Sequence, residues 1–194
     1  MASKTWGFMT KALHMEGHQK PMNAHSMPIF QSSTFYFDTP EHGAGLFAGE
    51  EKGHIYTRIG NPTVEAYERV VASLEEGDES VAFSSGMAAI HGGLMSVVSQ
   101  GDHIISGDTL YGPSVNLIGS VMNRFGIEST FLNTADLAAV KAAFKPNTKA
   151  VFLETPANPT CRISDIQEIA AWRTTGVRLS WSTAPLPPPD SSAR

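Results

Sequence analysis

Several signals are missing from this sequence of 194 residues, and each absence narrows what the chain can do. There is one cysteine, Cys161, so no internal disulfide is available, which fits a reducing compartment. No apolar run approaches the roughly 18 residues of a membrane-spanning helix. The opening "MASKTWGFMTKALHMEGHQK" also lacks the basic, apolar and small-residue order of a secretory signal, so a cytoplasmic location is expected. Basic residues are outnumbered: 14 Lys and Arg stand against 19 Asp and Glu, a net charge of -5 that argues against nucleic acid and anionic membranes as partners. The seven histidines, at 14, 18, 25, 42, 54, 91 and 103, fall into no metal-binding spacing, so no metal is expected. No GxGxxG follows the first strand, which sets aside an intact dinucleotide-binding module. With 41% apolar residues, what remains is a folded domain with a small-molecule site.

Residues 1–60 are rich in Met, His, Gly and aromatic residues, with "MPIFQSSTFYF" as their one strand-like run and no helix longer than a few turns. They read as an arm. From Pro62 the pattern changes. "PTVEAYERVVASLEEG" sets Val64, Tyr67, Val71 and Leu74 on one helical face, with Pro62 near the start and Gly77 past the end. "SVAFSSG" reads as a buried strand entering a turn, and "MAAIHGGLMSVVSQG" as a helix closed by Gly101. Further strands are expected at "HIISG", "ESTFLN" and "AVFLET", and further helices at "SVNLIGSVMNRFG", "LAAVKAAFK" and "ISDIQEIAAW", the last capped by Ser164. Such alternation predicts an α/β layer with a mostly parallel sheet. The closing "RTTGVRLSWSTAPLPPPDSSAR" offers no expected strand or helix.

Four short motifs have the composition of a site. "FSSGMAAI" lies where a strand turns into a helix, so Ser85, Gly86 and Met87 present backbone N–H groups suited to a phosphate; the plainer alternative is tight packing of the turn. "GHIYTRIGNPT" places Tyr56 and Arg58 two apart, a phenol and a guanidinium able to grip an anion, or else a surface Arg beside a half-buried Tyr. "SGDTLYGPS" puts Tyr111 in a loop at the carboxyl edge of the sheet, where its ring could stack on a flat cofactor or simply pack. "FLETPANPT" brings Glu154 and Asn158 to the same edge in a loop stiffened by two prolines.

In this order and spacing, the motifs resemble the Cys/Met-metabolism family of pyridoxal-phosphate (PLP) enzymes, which act in transsulfuration. The resemblance runs over about residues 7–171, from "GFMTKALH" through "FAGEEKGHIYTRIGNPT", "SSGMAAI" and "TLYG" to "LETPANP" and "DIQEIAA". It implies an α/β fold: an N-terminal arm, residues 1–60, and over 61–171 part of the large domain of a PLP-dependent transferase (aspartate aminotransferase-like). The implied cofactor is pyridoxal 5'-phosphate, with its phosphate on Ser85, Gly86 and Met87, and Tyr111 stacked on its ring as the catalytic-site aromatic. Asn158 and Glu154 would stand beside it, Asn158 in direct contact, and Tyr56 and Arg58 would reach into a neighbouring subunit's phosphate site. The implied parent is a homo-oligomer, a dimer of dimers, acting on a sulfur amino acid or an O-acylhomoserine by gamma-elimination or gamma-replacement. The arm and "SSGMAA" look most like methionine gamma-lyases, although those carry Cys after "TLYG" where Pro113 stands here. O-acetylhomoserine sulfhydrylase, which often shows Gln in place of Met87, and cystathionine gamma-synthase are the alternatives.

The resemblance also implies a lysine that forms a Schiff base with the cofactor, in an "SxTKY"-like loop, and an aspartate in a "VVDNTFATP"-like strand. Neither stretch is found: the seven lysines, 4, 11, 20, 52, 141, 145 and 149, all precede that point. The chain itself is therefore expected to be inactive. Regrouping the tail's codons by one base permits "VAHDRG..VVVDSTFATP", so the expectation is a frameshift just after Ala171 and a non-homologous tail over 172–194, leaving an apolar sheet edge open. A non-catalytic product able only to associate with intact subunits is the alternative of another class.

Overall fold

The computed structural model describes residues 6–14 and 23–172, together with the backbone of 178–182. The chain divides into two compact units, residues 1–82 and 83–194.

The first unit holds three helices: α1 (Phe8–His14), α2 (Pro40–Ala48) and α3 (Pro62–Leu74). Helix α2 starts on Thr39, whose side chain accepts from the His42 N–H, and ends at Gly49, whose φ of 73° suits a residue without Cβ. The run "MPIFQSSTFYF" forms no strand. It is extended, with a single antiparallel bridge between Thr34 and Tyr56. Side chains hold its first part: Asn61 donates to the Phe30 carbonyl at 3.0 Å, and Thr63 accepts from Phe30 N–H at 2.9 Å and donates to the Pro28 carbonyl at 3.0 Å; backbone bonds to Ile55 and Thr57 hold Phe35 and Ser33. Asn61 also caps α3 by accepting from Thr63 N–H at 2.9 Å.

Two expectations are corrected in this unit. Helix α3 forms, but it buries Ala66 and Ala72, whereas Val64 and Tyr67 on the expected face stay 40% and 62% exposed. Apolar periodicity marks the side of a helix that favours cover; it does not say whether this chain supplies it. "SVAF" is not a strand either. The Glu68 carbonyl accepts from the Ser80 hydroxyl and the Glu68 carboxylate from Ala82 N–H, both at 2.7 Å, and Val81 is 72% exposed. A backbone donor already held by a carboxylate is unavailable to a ladder.

The second unit is a three-layer α/β arrangement. Helix α4 (Gly86–Met95) precedes β1 (His103–Gly107), and α5 (Gly112–Asn116) continues through a π turn and a 3-10 turn to Phe125. Strand β2 (Glu128–Leu132), helix α6 (Leu137–Ala142), β3 (Thr148–Glu154), α7 (Ile166–Ala171) and β4 (Arg178–Ser182) follow. The sheet order is β2-β1-β3-β4 and every pairing is parallel. Alternation along the strands sends Ile104, Ala150 and Phe152 to one face, against Leu94, Leu117, Ile118 and Met122 of α4 and the α5 rod. Ile105, Val151 and Leu153 go to the other, against Val140 and Ile169 of α6 and α7. Burial on both faces is why these strands read as continuous apolar runs.

Here too, boundaries differ from expectation. Helix α4 ends at Met95, not near Gly101, because Ser96 caps it and its hydroxyl donates to the Gly93 carbonyl at 2.7 Å. Asp165, not Ser164, caps α7: its carboxylate accepts from Glu168 N–H at 2.9 Å, and Ser164 is buried with its hydroxyl 2.7 Å from that of Thr134. The expected open edge of β3 is paired with Arg178–Ser182. A bare edge of N–H and C=O groups captures any compatible segment, and "RLSWS" has the required alternation.

His103, out of solvent at the start of β1, ties three strands: Nδ1 lies 2.8 Å from the Thr148 hydroxyl and Nε2 2.9 Å from that of Thr130. Burial, then the Lys145 charge, lowers its pKa from 6.5, with Glu128 opposing. The folded chain thus refuses a proton that the unfolded chain takes up, so stability is retained above pH 6.5 and falls as pH drops through that value toward the lower, folded pKa. Urea midpoints measured across this range should decline for the native chain, and His103→Gln should flatten that part of the slope.

Candidate functional site

Strand order places the site. The chain leaves β1 toward β2 but leaves β3 toward β4, so the carboxyl ends of these adjacent strands form a switch point, the place where open parallel sheets gather ligands. The β1 loop carries Tyr111 and the β3 loop carries Asn158. Tyr111 is 50% exposed, and Asn158 is exposed in a loop whose Thr155-Pro156 and Asn158-Pro159 peptide bonds are cis.

Ser85, Gly86 and Met87 open α4. Ser85 is its N-cap, and its hydroxyl oxygen accepts from Ala88 N–H at 3.1 Å, which leaves the hydroxyl proton free to donate. The Gly86 and Met87 N–H groups lie in the first turn, where a helix has no internal acceptor to offer. A Cβ at Gly86 would meet no atom within 4 Å, so the space beside these donors is open. The same is not true of Gly92, where a Cβ would come within 2.8 Å of the Phe83 ring.

A polar chain links this turn to the switch point. The Ser114 hydroxyl contacts the Met87 sulfur at 3.9 Å, Ser114 N–H donates to the Tyr111 carbonyl at 2.9 Å, and Tyr111 N–H donates to both Glu154 carboxylate oxygens at 3.1 and 3.2 Å. Glu154 is only 4% exposed, so its carboxylate holds the Tyr111 backbone and is not open to a ligand. The first-turn N–H donors of α4 and the exposed Tyr111 are thus linked through Ser114.

In the first unit, Tyr56 and Arg58 come together although they lie in a turn and not in an extended segment. The Tyr56 carbonyl accepts from Ile59 and Gly60 N–H groups, and the Arg58 guanidinium lies 5.5 Å from the Tyr56 ring centre. They border a cavity of about 370 Å³ with Phe30, Gln31, Ser32, Ser33 and Thr57. Among the described residues no carboxylate forms an ion pair with Arg58.

Sequence reasoning missed the groups behind the switch point. Arg162 donates to the Asp108 carboxylate at 2.8 Å and to the Asn133 side-chain carbonyl at 3.0 Å, joining the loops after β1 and β2 to the loop after β3. An acid and an amide directly after two strands, with a lone arginine after the third, was the available signal. Among the described residues no group of His, Cys, Asp and Glu is placed to hold a metal, and no helix is long and apolar enough to cross a membrane.

The family model for Cys/Met metabolism PLP-dependent enzymes matches residues 9–178. An L-methionine gamma-lyase of Fusobacterium nucleatum subsp. polymorphum is 46% identical over 170 residues, 88% of this chain and 43% of the relative. An O-acetyl-L-homoserine sulfhydrylase of Corynebacterium glutamicum is 43% identical over 85% of this chain and 38% of its own length. A crystal structure from Campylobacter jejuni, assigned as an O-acetylhomoserine (thiol)-lyase and containing a pyridoxyl-lysine monophosphate, superposes with a TM-score of 0.78 at 32% identity. That match covers 85% of this chain and 40% of the other. The chain therefore spans less than half the length of these relatives.

Proposed function

The chain belongs to the Cys/Met metabolism PLP-dependent enzyme family, and from that premise we propose that it is the N-terminal part of a carbon-sulfur lyase or transferase of sulfur amino-acid metabolism. Its parent eliminates or replaces the gamma substituent of methionine, cystathionine or an O-acylhomoserine, with methionine gamma-lyase chemistry favoured. The observation that carries this reading is the chain of contacts that joins the start of α4, with its open N–H donors at Gly86 and Met87, through Ser114 to Tyr111 at the ends of β1 and β3. When bound, PLP supplies an electron sink for charge developing on the amino acid.

In this reading Ser85, Gly86 and Met87 hold the cofactor phosphate, Tyr111 covers its ring, and Asn158 bonds its rim. Tyr56 and Arg58 serve a neighbouring copy in a cytoplasmic dimer of dimers. The support is an exposed guanidinium without an ion-pair partner among the described residues, and an α3 face left uncovered at Val64 and Tyr67. Residues 1–60 act as the arm, 61–171 as the partial cofactor domain and 172–194 as out-of-frame peptide.

The chain by itself binds PLP without a covalent link and does not turn over substrate. What supports this is where the lysines of the second unit lie. Lys145 pairs with Glu128 at 3.1 Å at the amino end of β2, Lys149 stands at the amino end of β3, and Lys141 lies 5.8 Å from the Trp172 ring centre. Lys4 and Lys20 lie outside the described residues. The test compares the chain as written with the product of a gene whose frame is restored by one base after Ala171. The first should take up PLP reversibly and lose it on dialysis; the second should retain it and release a thiol from methionine. An adduct on the first chain that survives dialysis would defeat the proposal.

A further inference from the structure

The switch-point residues stand on loops, and loops are costly to order on a ligand unless something holds them beforehand. Arg162 is the side chain that reaches across all three. Its backbone carbonyl accepts from Ala157 N–H at 2.9 Å, closing the turn that contains Asn158, and Cys161 N–H closes the same turn onto the Ala157 carbonyl at 2.7 Å. Its guanidinium then leaves this turn to bond Asp108, three residues before Tyr111, and Asn133 after β2. Each acceptor is itself oriented: Asp108 also accepts from the Thr109 hydroxyl at 3.0 Å, and Asn133 from Ala135 N–H at 3.0 Å. Asp108 N–H in turn donates to the Leu132 carbonyl at 2.8 Å.

We propose that Arg162 is a positioning residue for the cofactor site: from within the Asn158 turn it bonds Asp108 and Asn133, and so sets Asn158 against Tyr111 across the switch point. It touches no ligand itself. Asp108 and Asn133 both accept from the same terminal nitrogen, Nη1, whose two N–H groups are fixed in the guanidinium plane, whereas the ammonium of lysine is a rotatable point charge on a flexible stem. Glu154 fixes the Tyr111 backbone from the strand below, so Arg162 and Glu154 hold the two sides of one loop.

The inference rests on the cofactor reading above, and its test separates the two. Arg162→Ala and Arg162→Lys are compared with the native chain for binding of PLP and of inorganic phosphate, with hydrogen exchange followed at the Asp108, Ala157 and Cys161 amides. Loss of the charge-assisted bonds should weaken PLP binding about tenfold to a hundredfold in Arg162→Ala. Arg162→Lys should recover part of it, and phosphate, held only by the start of α4, should bind as before. Unchanged PLP affinity overturns the proposal, and so does an equal loss of PLP and phosphate, which would mean a purely structural residue. If the native chain binds no PLP, the cofactor reading fails and exchange decides. Faster exchange at those three amides with β1 and β3 unaltered supports the positioning role; unchanged exchange refutes it.

Discussion

Phe152→Ala is expected to cost about 3–5 kcal/mol, a large share of the roughly 5–15 kcal/mol that holds a typical domain together. Phe152 is 1% exposed on β3 and packs into the cluster of Leu94, Ile104, Ile118 and Met122. Removing the ring leaves a void between sheet and helices, and rigid backbone on both sides limits collapse. With a urea dependence of about 1–3 kcal/mol per molar, the midpoint should fall by roughly 2 M or the chain should fail to fold. Phe125→Ala is the control: Phe125 is 59% exposed in the same unit, and its loss should change stability by no more than about 0.5 kcal/mol. Equal effects from the two substitutions would contradict the assigned core.

Glu154→Ala is expected to orphan the Tyr111 N–H in a place that water reaches poorly, at a cost of about 1–3 kcal/mol. Because the lost bond fixes the aromatic residue of the switch point, PLP affinity should fall along with stability. Glu154→Gln keeps an acceptor oxygen and should restore most of both. If Gln behaves like Ala, the charge and not the hydrogen bond is what matters. If neither substitution alters PLP binding while Tyr111→Ala does, Glu154 holds the turn without setting the ring.

Much of the second unit was legible because local signals and packing agree there. "HIISG", "ESTFLN" and "AVFLET" became β1, β2 and β3, and the helices between them appeared with boundaries off by a few residues. Caps caused those errors: Asp165 and Ser164 both suit an N-cap, and only the Thr134 contact shows that Ser164 is already engaged. "SVAF" failed for a different reason. Its β propensity is real, but a strand needs a partner, and Glu68 takes the Ala82 donor first. The first unit was harder still, because the start of its extended run is held by Asn61 and Thr63 side chains, for which no periodicity exists to be read.

By itself the sequence determined the motifs, their order and the family they resemble, since a serine-glycine turn, a loop tyrosine and a proline-flanked asparagine are chemistry carried by residue type. Tertiary structure decided which of them stand at adjacent strand ends, because that depends on strand order, and a chain that visits β2 before β3 does not announce that β1 lies between them. It also decided that the Glu154 carboxylate holds the Tyr111 backbone, and that Arg162 joins three loops. Hydrogen bonds between residues 29 to 54 positions apart leave no local trace, because their energy is realised only when distant segments have been brought into contact.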